Sequence, residues 1–131
     1  MTVFTWPVRI YYEDTDAGGV VYHANYLKFF ERGRTEMLRE KGFEQDQLKI
    51  NEGIIFAIRS LTIDYLSLTF FNDLIEVHSK ISCLKKASLI FDQSIHRGDT
   101  LLSKATITVV CLDAKTMRPK ALPQTLLAEF Q

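Results

Sequence analysis

Residues 24–41 read ANYLKFFERGRTEMLREK. Tyr26, Phe29, Phe30, Gly33 and Met37 recur at i, i+3, i+4, i+7 and i+11, which is one apolar face of an α-helix. Lys28, Arg32, Glu36, Arg39 and Glu40 fill the other face, and Arg32 with Glu36 makes an i,i+4 pair worth a few tenths of a kcal/mol. Asn25 stands where an N-cap is expected and Gly42 where a left-handed residue closes a helix. At about 1.5 Å per residue the helix is roughly 27 Å long, enough to cross a small sheet. Gly33 costs about 1 kcal/mol of helix propensity relative to alanine. On the buried face it would let the helix sit close against a strand.

Strand patterns lie on both sides of this helix. Residues 8–13 read as a first strand with Val8, Ile10 and Tyr12 on one face, and 14–21 as a polar loop around Gly18-Gly19. A short helical or irregular piece, 44–51, precedes four strand-like runs: 54–66, 74–84, 88–96 and 101–112. In the first of these Leu61, Ile63 and Tyr65 alternate with Thr62 and Asp64. In the second Ile75, Val77, Ser79 and Ile81 oppose Glu76, His78 and Lys80. Asn72-Asp73, Lys85-Lys86 and Gly98-Asp99 mark the turns, 113–120 is a loop, and 123–130 reads as a last short helix. One strand, a long helix and four antiparallel strands predict an α+β domain over 1–131, with the helix wrapped by a curved sheet of about five strands. Such a sheet leaves a long edge strand, so a homodimer with a continuous sheet is expected, or a homotetramer of two such dimers.

The composition narrows the class of partner. Lys+Arg and Asp+Glu are 16 each, so no net field draws the chain to nucleic acid or to an anionic bilayer. The apolar run at 54–58 is far too short to span a membrane, and the first ten residues lack the charged-then-apolar order of a secretory leader. Cys83 and Cys111 have no metal or redox spacing and read as reduced thiols of a cytoplasmic protein.

The chemistry is concentrated in residues 11–26, YYEDTDAGGVVYHANY. A carboxylate, two glycines and the start of a helix fall together there. Helix starts expose unpaired amide N–H groups and carry the positive end of the dipole. Aimed at a carbonyl they stabilise an oxyanion, while a nearby carboxylate supplies nucleophile or base, a combination suited to acyl transfer. The stretch D-T-D-A-G-G-V-V-Y-H, preceded by V-R-I-Y-Y, resembles the active-site signature of the 4-hydroxybenzoyl-CoA thioesterase family. Within that family the chain is most similar to the small bacterial acyl-CoA thioesterases encoded beside the Tol–Pal envelope system, from W-P-V-R at the start to A-L-P-Q and L-A-E-F at the end. The resemblance implies a hotdog fold and hydrolysis of acyl-CoA thioesters, with acyl carrier protein as a second candidate carrier and no metal or redox cofactor.

It also assigns roles. The family's catalytic acid falls on Asp16; alone, an Asp two residues before Gly-Gly would be a turn former. A thioester carbonyl is electrophilic enough for a carboxylate to attack directly or to activate a water, and the sequence leaves both routes open. Asp14 reads as a hydrogen-bond acceptor that orders the loop. Gly18 and Gly19 would bring the backbone close to substrate, against the plainer alternative of a loop. Val20 and Tyr22 are candidate substrate contacts beside them, although Tyr22 and Tyr26 read equally as core or interface aromatics. His23 occupies the position whose backbone N–H meets the thioester oxygen, and its imidazole is suited to positioning a water near neutral pH. Lys85, Lys86 and Ser88 match the basic pair and serine that contact CoA phosphates; in isolation they would merely keep a hairpin soluble. Glu31, Arg34, His78 and His96 read as residues of solvated faces.

Two rival functions bear on the same residues. Hotdog hydratases and dehydratases pair an acid with histidine in a differently spaced motif. A non-catalytic acyl-carrier binding module would not need Asp16.

Overall fold

The computed structural model describes residues 2–131. Strands β1 (Phe4–Arg9), β2 (Ile54–Tyr65), β3 (Leu74–Leu84), β4 (Ser88–Arg97) and β5 (Thr100–Asp113) form one antiparallel sheet in the order β1-β3-β4-β5-β2. Helix α1 (Asn25–Glu40) and the short α2 (Gln45–Glu52) connect β1 to β2, carrying the chain from one edge of the sheet to the other, and α3 (Gln124–Phe130) closes the fold. The long helix lies against the concave side of the sheet, the hotdog arrangement. It packs on β1, β3 and β4, with α2 on β2 and α3 on β3.

Alternation along the strands creates the inner face. Ile75, Val77 and Ile81 of β3, Leu89, Phe91 and Ile95 of β4, and Ile107, Val109 and Cys111 of β5 are buried against Phe29, Phe30 and Met37 of α1. Gly33 makes this packing close. A Cβ there would stand 2.7 Å from Val77 Cγ1 and 3.0 Å from Ser79 Oγ, so no side chain fits without movement. Gln93, 3% exposed, is a buried polar residue of this layer, and its amide is fully used. Nε2 donates to Phe30 O (2.9 Å) and to Ser79 Oγ (2.8 Å), while Oε1 accepts from Arg34 Nη1 (2.9 Å). A buried amide so satisfied ties α1 to β3 and β4 without a desolvation loss.

Several sequence expectations shift. The first strand is displaced toward the N-terminus, to Phe4–Arg9, and Tyr12–Asp14 form a 3-10 turn that leaves Tyr12 80% exposed instead of sharing a face with Val8 and Ile10. Asn25 is the first helical residue rather than the cap; Ala24 precedes it with no side-chain cap, and the Asn25 amide turns to Asp14. The Arg32–Glu36 pair does not form: Glu36 meets Arg39 at 3.3 Å, and Arg32 lies 5.8 Å from the Phe29 ring centre. An acid C-terminal to its base is the weaker orientation on a helix. Leu61 and Tyr65 do not enter the core. Their strand is an edge, and beyond its bulge at Ile58/Ser60 its side chains are mostly exposed. His78 and His96 are not simply solvated: their rings lie 4.2 Å apart, and His78 Nε2 is buried without a hydrogen-bond partner, Glu76 being 3.6 Å away.

Candidate active site

The loop before α1 is held by Asp14, as its sequence position suggested. Its carboxylate is 8% exposed and accepts from the Tyr11 backbone N–H (2.8 Å) and from Asn25 Nδ2 (3.0 Å), so the loop and the helix start share one anchor. Two isolated bridges, Thr15 with Val21 and Val20 with Phe70, pin the loop on itself and on the segment joining β2 to β3. Between them lies a tight turn: Asp16 N donates to Val20 O and Gly19 N to Asp16 O. Gly19 has φ +80°, which glycine adopts without strain.

Asp16 projects from this turn and is exposed. Its Oδ1 accepts from Gly18 N at 2.8 Å, while Oδ2 has no intrachain partner among the described residues. A Cβ on Gly18 would stand 3.2 Å from that Oδ1. Thus the N–H groups of both glycines are committed to Asp16 rather than offered outward, and the glycines orient the acid.

A groove of about 300 Å³ is lined by Asp16, Val20, His23, Tyr26, Tyr65 and Leu68, with Val21, Leu66 and Ser67 completing it. The backbone N–H of His23 finds no acceptor among the described residues, while its carbonyl accepts from Tyr65 Oη at 2.8 Å. Tyr65 had no assigned role from sequence. It stacks edge-on to Tyr26 at 5.1 Å and fixes His23, two residues before the helix. Burial, then the neighbouring Tyr26, raises the Tyr65 phenol pKa, so it stays a neutral hydrogen-bond donor. Tyr26 Oη in turn donates to Thr69 Oγ1 at 2.9 Å. Tyr22 packs on His23 with ring centres 4.6 Å apart but does not line the groove, and both rings are exposed.

Lys85, Lys86 and Ser88 lie elsewhere in the chain. They form the β3–β4 turn, closed by Lys85 N donating to Ser88 O at 2.8 Å. Tyr65 is level with Ser103 and Ile95, and Ser88 is seven residues further along β4, about 23 Å along the strand at 3.3 Å per residue. No group of three or more metal-ligating side chains occurs among the described residues. No helix among them is long and apolar enough to cross a membrane.

Residues 11–130 match the family model of the thioesterase-like superfamily. The chain belongs to this superfamily. It is 47% identical over 131 residues to the acyl-CoA thioester hydrolase YbgC of Escherichia coli O6:H1, covering 99% of this chain and 97% of that protein. It is 47% identical over 127 residues to the acyl-CoA thioesterase YbgC of Haemophilus influenzae, covering 97% and 93%. Among solved structures, a probable thioesterase from Bartonella henselae superposes with a TM-score of 0.90 at 34% identity, over 93% of this chain and 100% of that one.

Proposed function

We propose that the chain hydrolyses short acyl-CoA thioesters to free acid and CoA in the cytoplasm, with the Asp16 carboxylate as nucleophile or general base. The observation that carries this reading is the groove lined by both Asp16 and His23, whose backbone N–H has no acceptor among the described residues. The thioester oxygen accepts from that N–H, which the helix dipole makes a better donor. Asp16 Oδ2 then attacks the carbonyl carbon, expelling the thiolate and giving an anhydride that water hydrolyses to the free acid, or removes a proton from a water that itself attacks the carbonyl and expels the thiolate. The other oxygen stays on Gly18 in either route, so the acid arrives oriented. His23, a residue of the groove wall, contributes its backbone, and its imidazole is suited to holding a water there.

The same reading requires a homodimer. Strand β2 is a 12-residue edge whose Ile58, Leu61 and Tyr65 are 38–47% exposed, an unprotected template for a second copy. Antiparallel pairing of two β2 strands about a twofold axis sets the Tyr65 end of one protomer beside the Ile54 end of the other. Since Ser88 is level with Val110 and Ala57, the partner's Ser88 turn then lies about three strand spacings across and three residues along, roughly 17 Å, instead of about 25 Å within one chain. CoA bound across that seam places its phosphates on the partner's lysines and its thioester on Asp16. Acyl carrier protein presents the same thioester on a phosphopantetheine arm and is the alternative carrier.

Purified chain assayed against a panel of acyl-CoAs should release thiol fastest from short acyl groups. Absence of hydrolysis across the panel, with retained acyl-CoA binding, would favour the non-catalytic binding module.

A further inference from the structure

Helix α1 starts at Ala24 without a side-chain cap, so the residues just before it depend on other contacts for their orientation. Residues 22–25 form a turn closed by Asn25 N donating to Tyr22 O at 2.9 Å, and Tyr22 N donates to Asp14 O at 2.9 Å. In a trans peptide the C=O and N–H point in opposite directions, so the held Tyr22 carbonyl sets the line of the His23 N–H. The middle peptide of the turn, His23–Ala24, lies outside the closing bond. Among the described residues no main-chain N–H donates to the His23 carbonyl. Its partner is a side chain from the last residue of β2, Tyr65, whose Oη donates at 2.8 Å.

Tyr65 is a fixed point for this purpose. Its ring stands edge-on to Tyr26, and also to the His23 ring at 6.3 Å and 86°. Tyr26 is 4% exposed and is tied by its hydroxyl to Thr69, which is 1% exposed. The Thr69 carbonyl in turn accepts from Val21 N at 2.8 Å. Val21 and His23 are thus both anchored to the 65–69 segment, and these anchors bracket the His23 N–H in the chain. Tyr65 itself is 46% exposed, and one hydrogen bond at such a site adds little to the stability of the fold.

On the thioesterase reading of the Asp16 groove, we infer that Tyr65 is a positioning residue: its hydroxyl holds the turn so that the His23 N–H meets the thioester oxygen as charge develops there. A donor of this kind works because it is aimed before the reaction begins, and a small misplacement is costly. Tyr65 acts through His23 and does not need to touch the substrate.

Tyr65→Phe removes the hydroxyl and keeps the ring that packs on Tyr26 and His23. On an acyl-CoA that the native chain hydrolyses, kcat and kcat/KM should fall together by about 10–10²-fold with KM unchanged, as expected when an interaction is realised only in the transition state. The urea midpoint should stay at the native value. A non-hydrolysable acyl-CoA ketone, with a methylene in place of the thioester sulfur, serves as the NMR probe. At saturation it should move the His23 amide proton downfield in the native chain and clearly less in the variant. A variant with native kcat and a native ketone shift would overturn the inference and leave the thioesterase reading intact. So would a raised KM with kcat unchanged, a fall in the urea midpoint matching the loss of kcat, or no His23 shift in the native chain. A native chain that hydrolyses no thioester, yet shows the His23 shift and its loss in the variant, would remove the thioesterase reading and keep Tyr65 as the residue that aims the donor.

Discussion

Asp14 and Asp16 are two residues apart and have different work because of what reaches each carboxylate. Asp14 is buried and spends both oxygens on Tyr11 and Asn25, which makes it an anchor. Asp16 is exposed and spends one oxygen on Gly18, which leaves the other for chemistry. Asp16→Asn keeps an oxygen for Gly18 N and removes the charge. The melting temperature should be unchanged while kcat falls by roughly 10²–10⁴-fold, as expected for loss of a general base or nucleophile. A purified variant with near-native turnover would remove Asp16 from the mechanism.

At the scale of elements, the close contact of α1 with β3 is set by Gly33. Gly33→Val adds a branched side chain where Val77 Cγ1 already stands 2.7 Å from a bare Cβ position. Overpacking should cost about 1–3 kcal/mol despite the gain in helix propensity, read as a lowered midpoint in urea. The outer face of the sheet carries a second testable contact, the stacked His78 and His96. Burial, then the His78 charge, lowers the His96 pKa below the ordinary 6.5, with Glu76 opposing and Ser94 Oγ 2.8 Å from His96 Nε2. The unfolded chain therefore takes up a proton at His96 more readily than the folded one. Its contribution is intact above about pH 6.5 and is lost as pH falls through that value toward the lower folded pKa. His96→Gln should consequently lose less melting temperature than the native chain between neutral pH and the low fives. Equal losses would show that the pair does not couple to folding.

At the scale of the whole molecule, the proposed seam along β2 determines both assembly and substrate grip. Sedimentation at micromolar concentration should show a dimer or larger and no major monomer; a fully active monomer would refute the shared site. Replacing both Lys85 and Lys86 by alanine should raise KM for acyl-CoA with kcat nearly unchanged, since lost phosphate contacts weaken ground and transition states alike. Added salt should weaken native binding in the same direction, because exposed charge attraction is screened over about 8–10 Å. On a truncated thioester without phosphates, variant and native chain should be equally fast. A matching loss on that substrate would show that the lysines act through the fold.

Local pattern alone was enough for most elements, though not for the first strand, which lies at Phe4–Arg9. The 3.6-residue repeat of Tyr26, Phe29, Phe30, Gly33 and Met37 and the two-residue repeat of β3 each encode one buried face, and Gly42, at φ +88° beyond α1, marks the helix end where expected. The motif singles out Asp16 and His23 as candidates, because turn, glycines and helix start are contiguous in the chain; both line one groove. What pattern could not carry was anything set by residues distant in sequence. Tyr65 reaches His23 across 42 positions, and Arg34 reaches Gln93 across 59. Leu61 and Tyr65 alternate like core residues, yet strand order leaves them on an edge. A period states that one face is apolar; only the packed chain decides what that face meets.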